Sequence, residues 1–270
     1  MKLPEKLFGN RSGTLPENRT REIPNMSIQL TEISADEVHA LTERFETATL
    51  EEVLGWAWER FGTRAAIGTS FQGSGLVIMH RAYQAGLRFP IFTIDTGFLF
   101  PETLELKARL EDLLGVEIEG VAPEQTPEEQ AAEHGDRLWE RSPDLCCTMR
   151  KVLPLQKRLG DLAVWITGVR RGQSETRTKT GILELYEFDA LRERYILKLN
   201  PMANWSRDAV WNYLREHKLP YNALHDKGYR SIGCTHCTRP TGEHESERAG
   251  RWEGFKKTEC GIHTFLGTNL

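Results

Sequence analysis

Five cysteines are the residues of this sequence whose types and spacing could do chemistry. Cys146 and Cys147 are adjacent, Cys234 and Cys237 form a Cys-x-x-Cys pair, and Cys260 stands alone near the end of the chain. Four thiolates can hold a zinc ion or an iron–sulfur cluster. Two adjacent cysteines ligate two irons of one cluster more readily than one tetrahedral ion, so the set favours a cluster. The alternative is a set of buried, unreactive cysteines with a chance Cys-x-x-Cys.

Cys260 is a candidate nucleophile. It follows the lysine pair at residues 256–257 and precedes His263 in the sequence. Positive neighbours favour the thiolate, which is the form of cysteine that attacks. Gly261 would let the chain approach a substrate closely. The alternative is an ordinary surface thiol in a disordered terminus.

A glycine-containing turn at residues 70–75 lies between a predicted strand and a predicted helix. The backbone N–H groups of such a turn, together with the N-terminus of the helix, can hold an anion. The turn is not a Walker A loop, because no Gly-Lys-Ser/Thr follows it. A turn that binds no ligand is the alternative.

Basic residues follow the predicted strand ends and flank the cysteines, in a chain whose net charge is −4. This placement suggests an anionic substrate that carries phosphate or sulfate. Each of these side chains, taken singly, could instead be a solvated surface charge. They are Lys151, Arg170, Arg171, Arg177, Lys179, Arg248 and Arg251.

Short apolar segments alternate with helical segments and must position these residues. The predicted strands are residues 65–69, 89–95, 116–121 and 163–169. The alternation predicts βαβ units and a mostly parallel sheet. Ligands of such sheets bind at the carboxyl ends of the strands, near a switch in strand order. The turns at residues 70–75, 95–97 and 170–172 follow strands, so we expect all of them at that edge.

Capping signals predict where helices begin. Ser34, Pro101 and Ser206 each stand at a position that favours the first turn of a helix. Most aromatic side chains, Trp211 among them, are expected in the core, and His225 is expected on the surface. For the chain as a whole we expect a flexible leader, one α/β domain that binds nucleotide and the metal group, and a catalytic tail. Their predicted bounds are residues 1–34, 35–238 and 239–270.

Composition argues against several classes of protein. A net charge of −4 and a pI of about 6.1 are not those of a general nucleic-acid binder. No segment approaches the roughly 18 apolar residues of a membrane helix, and residues 1–25 lack the apolar centre of a secretory signal. We therefore expect a cytoplasmic protein that binds neither nucleic acid nor membrane and has no structural disulfides.

Taken together, these motifs resemble the iron–sulfur branch of the assimilatory sulfonucleotide reductases, the adenylyl-sulfate reductases. The resemblance runs from about residue 60 to the end of the chain. One departure is the turn at residues 70–76, which lacks the acidic pair of the Ser-Phe-Ser-Gly-Ala-Glu-Asp sequence that is frequent in the family. The matching motifs are Cys146-Cys147, Lys151, Cys234-x-x-Cys237, Arg248-Ala-Gly-Arg251-Trp252, Glu259-Cys260-Gly261-Ile262-His263, Asp95-Thr96-Gly97 and Gly168-Val169-Arg170-Arg171.

The resemblance implies an adenine-nucleotide α-hydrolase-like α/β sandwich with a mostly parallel central sheet and a mobile C-terminal tail that carries the nucleophile. It implies a [4Fe–4S] cluster on Cys146, Cys147, Cys234 and Cys237. The implied reaction is the reduction of adenosine 5′-phosphosulfate (APS) to sulfite and AMP, in sulfate assimilation toward cysteine. Cys260 would form an S-sulfocysteine intermediate, and reduced thioredoxin or glutaredoxin would release sulfite from it.

The resemblance also implies roles for the remaining motif residues. Lys151 would link the field of the cluster to the substrate, and His263 would tune the thiol or order the tail. The implied substrate-binding residues are Ser70, Phe71, Gln72, Gly73, Ser74, Asp95, Thr96, Gly97, Arg170, Arg171, Arg248 and Arg251.

Three alternatives stay open. The nearest is the same chemistry on 3′-phosphoadenylyl sulfate (PAPS), which would need an added basic residue for the 3′-phosphate. A zinc-stabilised nucleotide-binding module would carry one zinc ion in place of iron and sulfide. A non-enzymatic four-cysteine interaction module predicts no role for Cys260. The sequence is also compatible with a homo-oligomer.

Overall fold

A six-stranded sheet forms the centre of the protein, in a computed structural model that describes residues 33–242 and 244–263. The spatial order is β3-β2-β1-β4-β6-β5. Every neighbouring pair is parallel except β5 and β6, which form an antiparallel hairpin at one edge. The prediction of a mostly parallel sheet is confirmed, and the hairpin is the part that sequence analysis missed. The strands are β1 Ala65–Gly68, β2 Ile91–Ile94, β3 Ile118–Val121, β4 Val164–Ile166, β5 Leu183–Asp189 and β6 Arg194–Leu199.

Helices connect the strands and cover both faces of the sheet. The α-helices are α1 Ala35–Phe45, α2 Leu50–Phe61, α3 Gly73–Gln84, α4 Pro101–Leu114, α5 Pro127–His134, α6 Leu138–Arg141, α7 Pro143–Cys147, α8 Leu153–Leu159 and α9 Arg207–Glu216. A π-helical turn, Thr148–Val152, joins α7 to α8. Short 3₁₀-helices occur at Gly62–Arg64, Arg171–Gln173, Glu175–Arg177, Ala190–Arg192, Ala223–Lys227 and Thr235–Cys237.

Side-chain caps explain where several helices begin. As predicted, Ser34 accepts a hydrogen bond from the backbone of α1, and Ser206 does the same for α9. Pro101 is in the first turn of α4, where its missing N–H costs nothing. Thr49 and Glu52 cap each other's backbone at the start of α2, which separates α2 from α1.

The sheet is buried on both faces, as a parallel sheet requires. Successive residues of a strand point to opposite faces, and β1 follows this rule. Ala65 and Ile67 belong to the larger apolar layer, with α1, α2 and α3, whereas Ala66 belongs to a smaller layer on the side of α8. Trp165 of β4 lies in the smaller layer, at 3% exposure.

The strand order reverses between β1 and β4, and the main cavity opens there. β2 and β3 lie on one side of β1, while β4 and β6 lie on the other. A cavity of about 210 Å³ is lined by the turns that follow these two strands, including Ser70 and Gly168. Crevices of this kind are where doubly wound sheets bind ligands.

Glycines allow close contacts beneath this cavity. A Cβ on Gly168 would lie 3.0 Å from the backbone nitrogen of Gly75, so the turn after β4 packs directly on the start of α3. A Cβ on Gly68 would lie 2.3 Å from Nε1 of Trp165 and 2.9 Å from Phe92. The indole of Trp165 therefore occupies the space that a side chain at residue 68 would take.

The structure describes only two residues of the predicted leader but most of the predicted tail. The predicted leader, residues 1–34, lies outside the described residues except for its last two. Of these, Ile33 is buried in the core and Ser34 caps α1. Residues 239–242 and 244–263 pack onto the α/β core, and Trp252 in this segment is 2% exposed. Within the described ranges, no helix has the length and apolarity needed to cross a membrane.

The contact between Gly68 and Trp165 can be tested by substitution. We expect Gly68→Ala to lower the free energy of unfolding by roughly 1–3 kcal/mol, because the added methyl overpacks against the indole. Gly55→Ala is the control, since a Cβ there meets nothing within 4 Å in helix α2. That substitution should raise stability by up to about 1 kcal/mol. Urea unfolding measures both, and equal effects of the two variants would contradict the packing described.

Candidate active site

The glycine-containing turn forms one wall of the cavity. Phe71 has a φ of 57°, and its N–H donates to Oγ1 of Thr69 at 3.0 Å, which turns the chain sharply after β1. Helix α3 then begins at Gly73, and the preceding residue, Gln72, gives it no side-chain cap. Nε of Arg170 donates to Oγ of Ser74 at 3.0 Å. The first turn of α3 and a guanidinium thus lie side by side at the cavity.

The cavity is strongly cationic. Among its described lining residues, six are Lys or Arg and one is a carboxylate, Glu247. Glu247 pairs with Arg170 at 3.3 Å. This excess of positive charge suits an anionic ligand. The six cations are Lys151, Arg170, Arg177, Arg230, Arg248 and Arg251.

Cys260 lines this cavity, and the residue before it is held by two of the arginines. The carboxylate of Glu259 pairs with Arg177 at 2.8 Å and with Arg248 at 3.1 Å. Burial on its own would raise the pKa of Glu259, but the two guanidinium groups outweigh it and lower the pKa. Glu259 therefore stays ionised. For Arg248 the balance is the opposite, because burial outweighs its carboxylate partner and lowers its pKa to about 10.

The residues after Cys260 dock on the sheet. The hydroxyl of Tyr186 donates to the carbonyl oxygen of Ile262 at 2.7 Å. The ring of His263 stacks on Trp165, with centroids 5.1 Å apart and planes 10° from parallel. Burial lowers the pKa of His263 well below its ordinary value, and nearby cations, Lys198 first among them, lower it further. The imidazole is therefore neutral in this docked arrangement.

The other four cysteines line a second, smaller cavity. Cys146 and Cys147 end α7, while Cys234 and Cys237 come from the segment after α9. All four are free thiols. A β-bridge between Leu99 and Cys234 fixes this segment against the turn after β2. The cavity is completed by Phe98, Trp139, Pro143, Arg150, Lys151 and His236.

Burial and charge set the protonation of this group. Burial raises the pKa of Cys146 and of Cys237 to about 11, and it raises the pKa of Cys147 as well. For Cys234, Lys151 and a 3.3 Å contact with Thr96 outweigh burial and lower the pKa.

Lys151 connects the two cavities. It lies in the lining of both, and its Nζ is 4.0 Å from Sγ of Cys147. Burial alone would lower its pKa, but the sulfurs of Cys234, Cys147 and Cys260 raise it above its ordinary value. The ammonium is therefore charged between the cysteines and the main cavity.

The four cysteines of the smaller cavity are potential ligands of a metal group. Across residues 33–242 and 244–263, no three His, Cys, Asp or Glu side chains form a group arranged to hold a metal ion. The chemistry of the site nevertheless fits a thiolate-bound group, because four free thiols line one cavity beside the cations Arg150 and Lys151.

Most of the residues expected to bind substrate line the main cavity, and three do not. Asp95 accepts the N–H of Gly97 at 3.0 Å, and Gly97 packs against Pro127. Arg171 pairs with Glu46. None of Asp95, Gly97 and Arg171 lines the cavity. The predicted residues that do line it, including the three given other roles, are Ser70, Phe71, Gln72, Gly73, Ser74, Thr96, Lys151, Arg170, Arg248, Arg251, Cys260 and His263.

Several residues of this site were not among those expected to bind substrate. The sequence analysis named Arg177 only as one of the basic residues that suggest an anionic substrate. Its place in the same loop as Arg170 is the signal that could have assigned it to the site. Trp165 was expected to be a core residue, and Tyr186 lies on the unpredicted strand β5. His225, expected on the surface, lines the cavity and contacts the carbonyl of Tyr229 at 2.7 Å through Nδ1.

Residues 64–240, from just before β1 to just beyond the Cys-x-x-Cys pair, match the family described as the phosphoadenosine phosphosulfate reductase domain. The chain belongs to this reductase family.

Relatives named adenosine 5′-phosphosulfate reductase match most of the chain. A protein of Salinibacter ruber named adenosine 5′-phosphosulfate reductase is 44% identical over 86% of this chain and 90% of its own length. One of the same name from Halalkalibacterium halodurans is 41% identical over 87% of this chain and 99% of its own.

Solved structures support the fold. A phosphoadenylyl-sulfate reductase from Candida auris, in a phosphate complex, is 31% identical with a TM-score of 0.67 and covers 77% of this chain and 98% of that one. An FMN adenylyltransferase from Candida glabrata, 12% identical with a TM-score of 0.53, covers 85% of this chain and 78% of that one. The second likeness concerns the fold alone, which the reductase family shares with a nucleotide-binding enzyme.

Docking of the tail on the sheet makes a testable prediction. Tyr186→Phe removes the hydrogen bond to Ile262, worth about 1 kcal/mol, so the tail should open roughly fivefold more often. Alkylation of Cys260 by iodoacetamide, followed by mass spectrometry of its peptide, should speed up by that factor. The control is Tyr195→Phe, which removes a hydrogen bond to Glu187 on the β5–β6 hairpin. Equal rates in the two variants would contradict the docking.

Proposed function

We propose that this protein reduces APS to sulfite and AMP, with Cys260 as nucleophile, in the assimilation of sulfate toward cysteine. The observation that carries the proposal is the position of Cys260, in the wall of a cationic cavity at the switch point of the sheet. The names of the relatives at about 40% identity support APS as the substrate.

The cavity offers separate contacts for the parts of an adenylate. The turn at residues 70–75 and the start of α3 supply backbone N–H groups, which suit the 5′-phosphate. Arg170, fixed by Ser74, would stand beside that phosphate. Arg177, Arg248 and Arg251, which line the same cavity as Cys260, would hold the sulfate. Positioned cations stabilise the charge that develops on a leaving phosphate.

The first chemical step is a displacement at sulfur. The thiolate of Cys260 attacks the sulfur of APS and forms an S–S bond. The bond between that sulfur and the bridging oxygen breaks, and AMP leaves with the electron pair. The product on the enzyme is an S-sulfocysteine at Cys260. Lys151, charged and buried at the cavity wall, is placed to stabilise both the thiolate and the leaving group.

The second step returns the thiol and reduces the sulfur. One thiolate of a dithiol protein, thioredoxin or glutaredoxin, attacks Sγ of Cys260, and sulfite leaves with the electrons of the S–S bond. The second thiol of that dithiol then displaces Cys260 from the mixed disulfide. Two electrons pass from the dithiol to the sulfur. The tail has to expose Cys260 for this exchange, which is consistent with its attachment by a few contacts at its end.

We further propose that Cys146, Cys147, Cys234 and Cys237 hold a [4Fe–4S] cluster. When bound, such a cluster would supply a structural centre and an electrostatic field beside the substrate. Lys151 would transmit that field, because it contacts Cys147 and lines the substrate cavity. A reducing cytoplasm would keep both the cluster and Cys260 in the required state.

PAPS is the second candidate substrate. The likeness to the phosphoadenylyl-sulfate reductase of Candida auris favours it, at lower sequence identity than the relatives named for APS. The chemistry at Cys260 would be unchanged, and a basic side chain near the ribose would have to receive the 3′-phosphate.

The proposal is tested by incubating the anaerobically purified protein with APS and no reductant. The wild-type protein should release about one AMP per active site and stop, with Cys260 converted to S-sulfocysteine, because nothing regenerates the thiol. Cys260→Ser should release no AMP and keep the iron and sulfide of the wild type. Cys237→Ser, in contrast, should lose them.

Two results would count against the proposal. Continued AMP release without a reductant would indicate hydrolysis of APS, with no covalent step on the enzyme. Loss of iron from Cys260→Ser would contradict the separation between the nucleophile and the four cysteines of the smaller cavity.

A further inference from the structure

A carboxylate of the chain itself, that of Glu259, binds two of the arginines that line the main cavity. Nε and Nη2 of Arg177 donate to the two oxygens of Glu259 at 2.9 and 2.8 Å, and Nη2 of Arg248 donates at 3.1 Å. The hydroxyls of Ser174 and Thr176 donate to the same carboxylate at 3.2 and 3.1 Å. Glu259 is 9% exposed, so little of it is open to solvent.

These contacts are the ones that a sulfate or phosphate oxyanion would receive. A two-pronged guanidinium contact, a second guanidinium and hydroxyl donors are the usual means of binding such groups. Arg177 and Arg248 both line the cavity that Cys260 lines. The chain therefore supplies its own anion at a place where the proposed substrate needs the same donors.

We propose that Glu259 is an exchangeable ligand of Arg177 and Arg248, which the anionic end of the substrate displaces when it binds. The inference rests on the proposed function for the identity of that anion. Glu259 would thus set the affinity of the site for substrate, and it would couple substrate binding to a movement of the tail next to Cys260.

Charge explains why the exchange is required. A carboxylate and a sulfate on the same pair of guanidinium groups would repel each other at close range. Without any anion, two buried guanidinium groups would be left unpaired, which is costly. Glu259 satisfies them when the cavity holds no substrate, and the substrate satisfies them when it is bound.

The tail has a second attachment with which an anion does not compete. The hydrogen bond from Tyr186 to Ile262 and the stack of His263 on Trp165 involve a backbone carbonyl and a neutral ring. Displacing Glu259 therefore leaves the residues after Cys260 docked. The thiol can shift relative to the substrate while it remains at the cavity.

The test compares binding of APS and of adenosine by calorimetry. The full-length, anaerobically purified protein carries Cys260→Ser, so that APS is not consumed. We expect Glu259→Gln in this background to bind APS roughly tenfold more tightly, because the internal competitor is removed. Binding of adenosine, which has no anion, should be unchanged. The matched control is Glu253→Gln, since Glu253 lies in the same segment, is 68% exposed and pairs with Arg239 at 2.8 Å.

Each other outcome has a definite meaning. Unchanged or weaker APS binding in Glu259→Gln overturns the inference, as does an equal change for APS and adenosine. If the parent protein binds neither, the proposed function fails; inorganic sulfate then replaces APS as the probe, and the same comparison decides the inference. If Glu259→Gln does not fold, Glu259→Asp replaces it. Its shorter side chain should reach the guanidinium groups less well, so the Glu259→Asp protein should bind APS more tightly than the parent protein does.

Discussion

The pairing of Glu259 with Arg177 and Arg248 is the interaction on which the position of Cys260 depends. Glu259 directly precedes Cys260, the candidate nucleophile, in the sequence. The ion pairs of its carboxylate therefore also hold the backbone of Cys260 at the cavity. Removing one member of such a buried pair typically costs about 3–5 kcal/mol, because the remaining charge is left unpaired. The tail is therefore docked by an ionic contact that responds to any anion entering the same cavity. The aromatic contacts of His263 with Trp165 add a second attachment that does not respond to charge.

The sheet supplies the geometry for this arrangement. β1 and β4 are neighbours at the point where the strand order reverses, so the glycine turn and the arginine-bearing loop open into one crevice. The π-helical turn Thr148–Val152 follows Cys147 directly. Such turns are frequent at functional sites, and this one carries Lys151 into the walls of both cavities. One buried ammonium thus connects the four cysteines to the proposed substrate site.

Local signals account for what could be predicted from the sequence. The parallel sheet, the turns at its carboxyl ends and the helix starts at Ser34 and Ser206 follow from alternation and capping, which a short segment reveals. The pairing of Arg177 with Glu259 spans 82 residues, so only the folded chain brings it together. A position after a strand does not determine where a side chain points, which is why Arg171 turns away from the cavity to Glu46. The β5–β6 hairpin carries no tight-turn signal of the kind that sequence reading recognises.

Reduction of APS through Cys260 is the central proposal for this protein. The most direct measurement is sulfite release by the anaerobically purified protein with reduced thioredoxin, comparing APS with PAPS at equal concentration. We expect sulfite from APS at a much higher rate than from PAPS. A preference for PAPS would contradict the proposed substrate while leaving the role of Cys260 intact. Sulfite from neither substrate, in protein that retains its iron and sulfide, would contradict the proposed function itself.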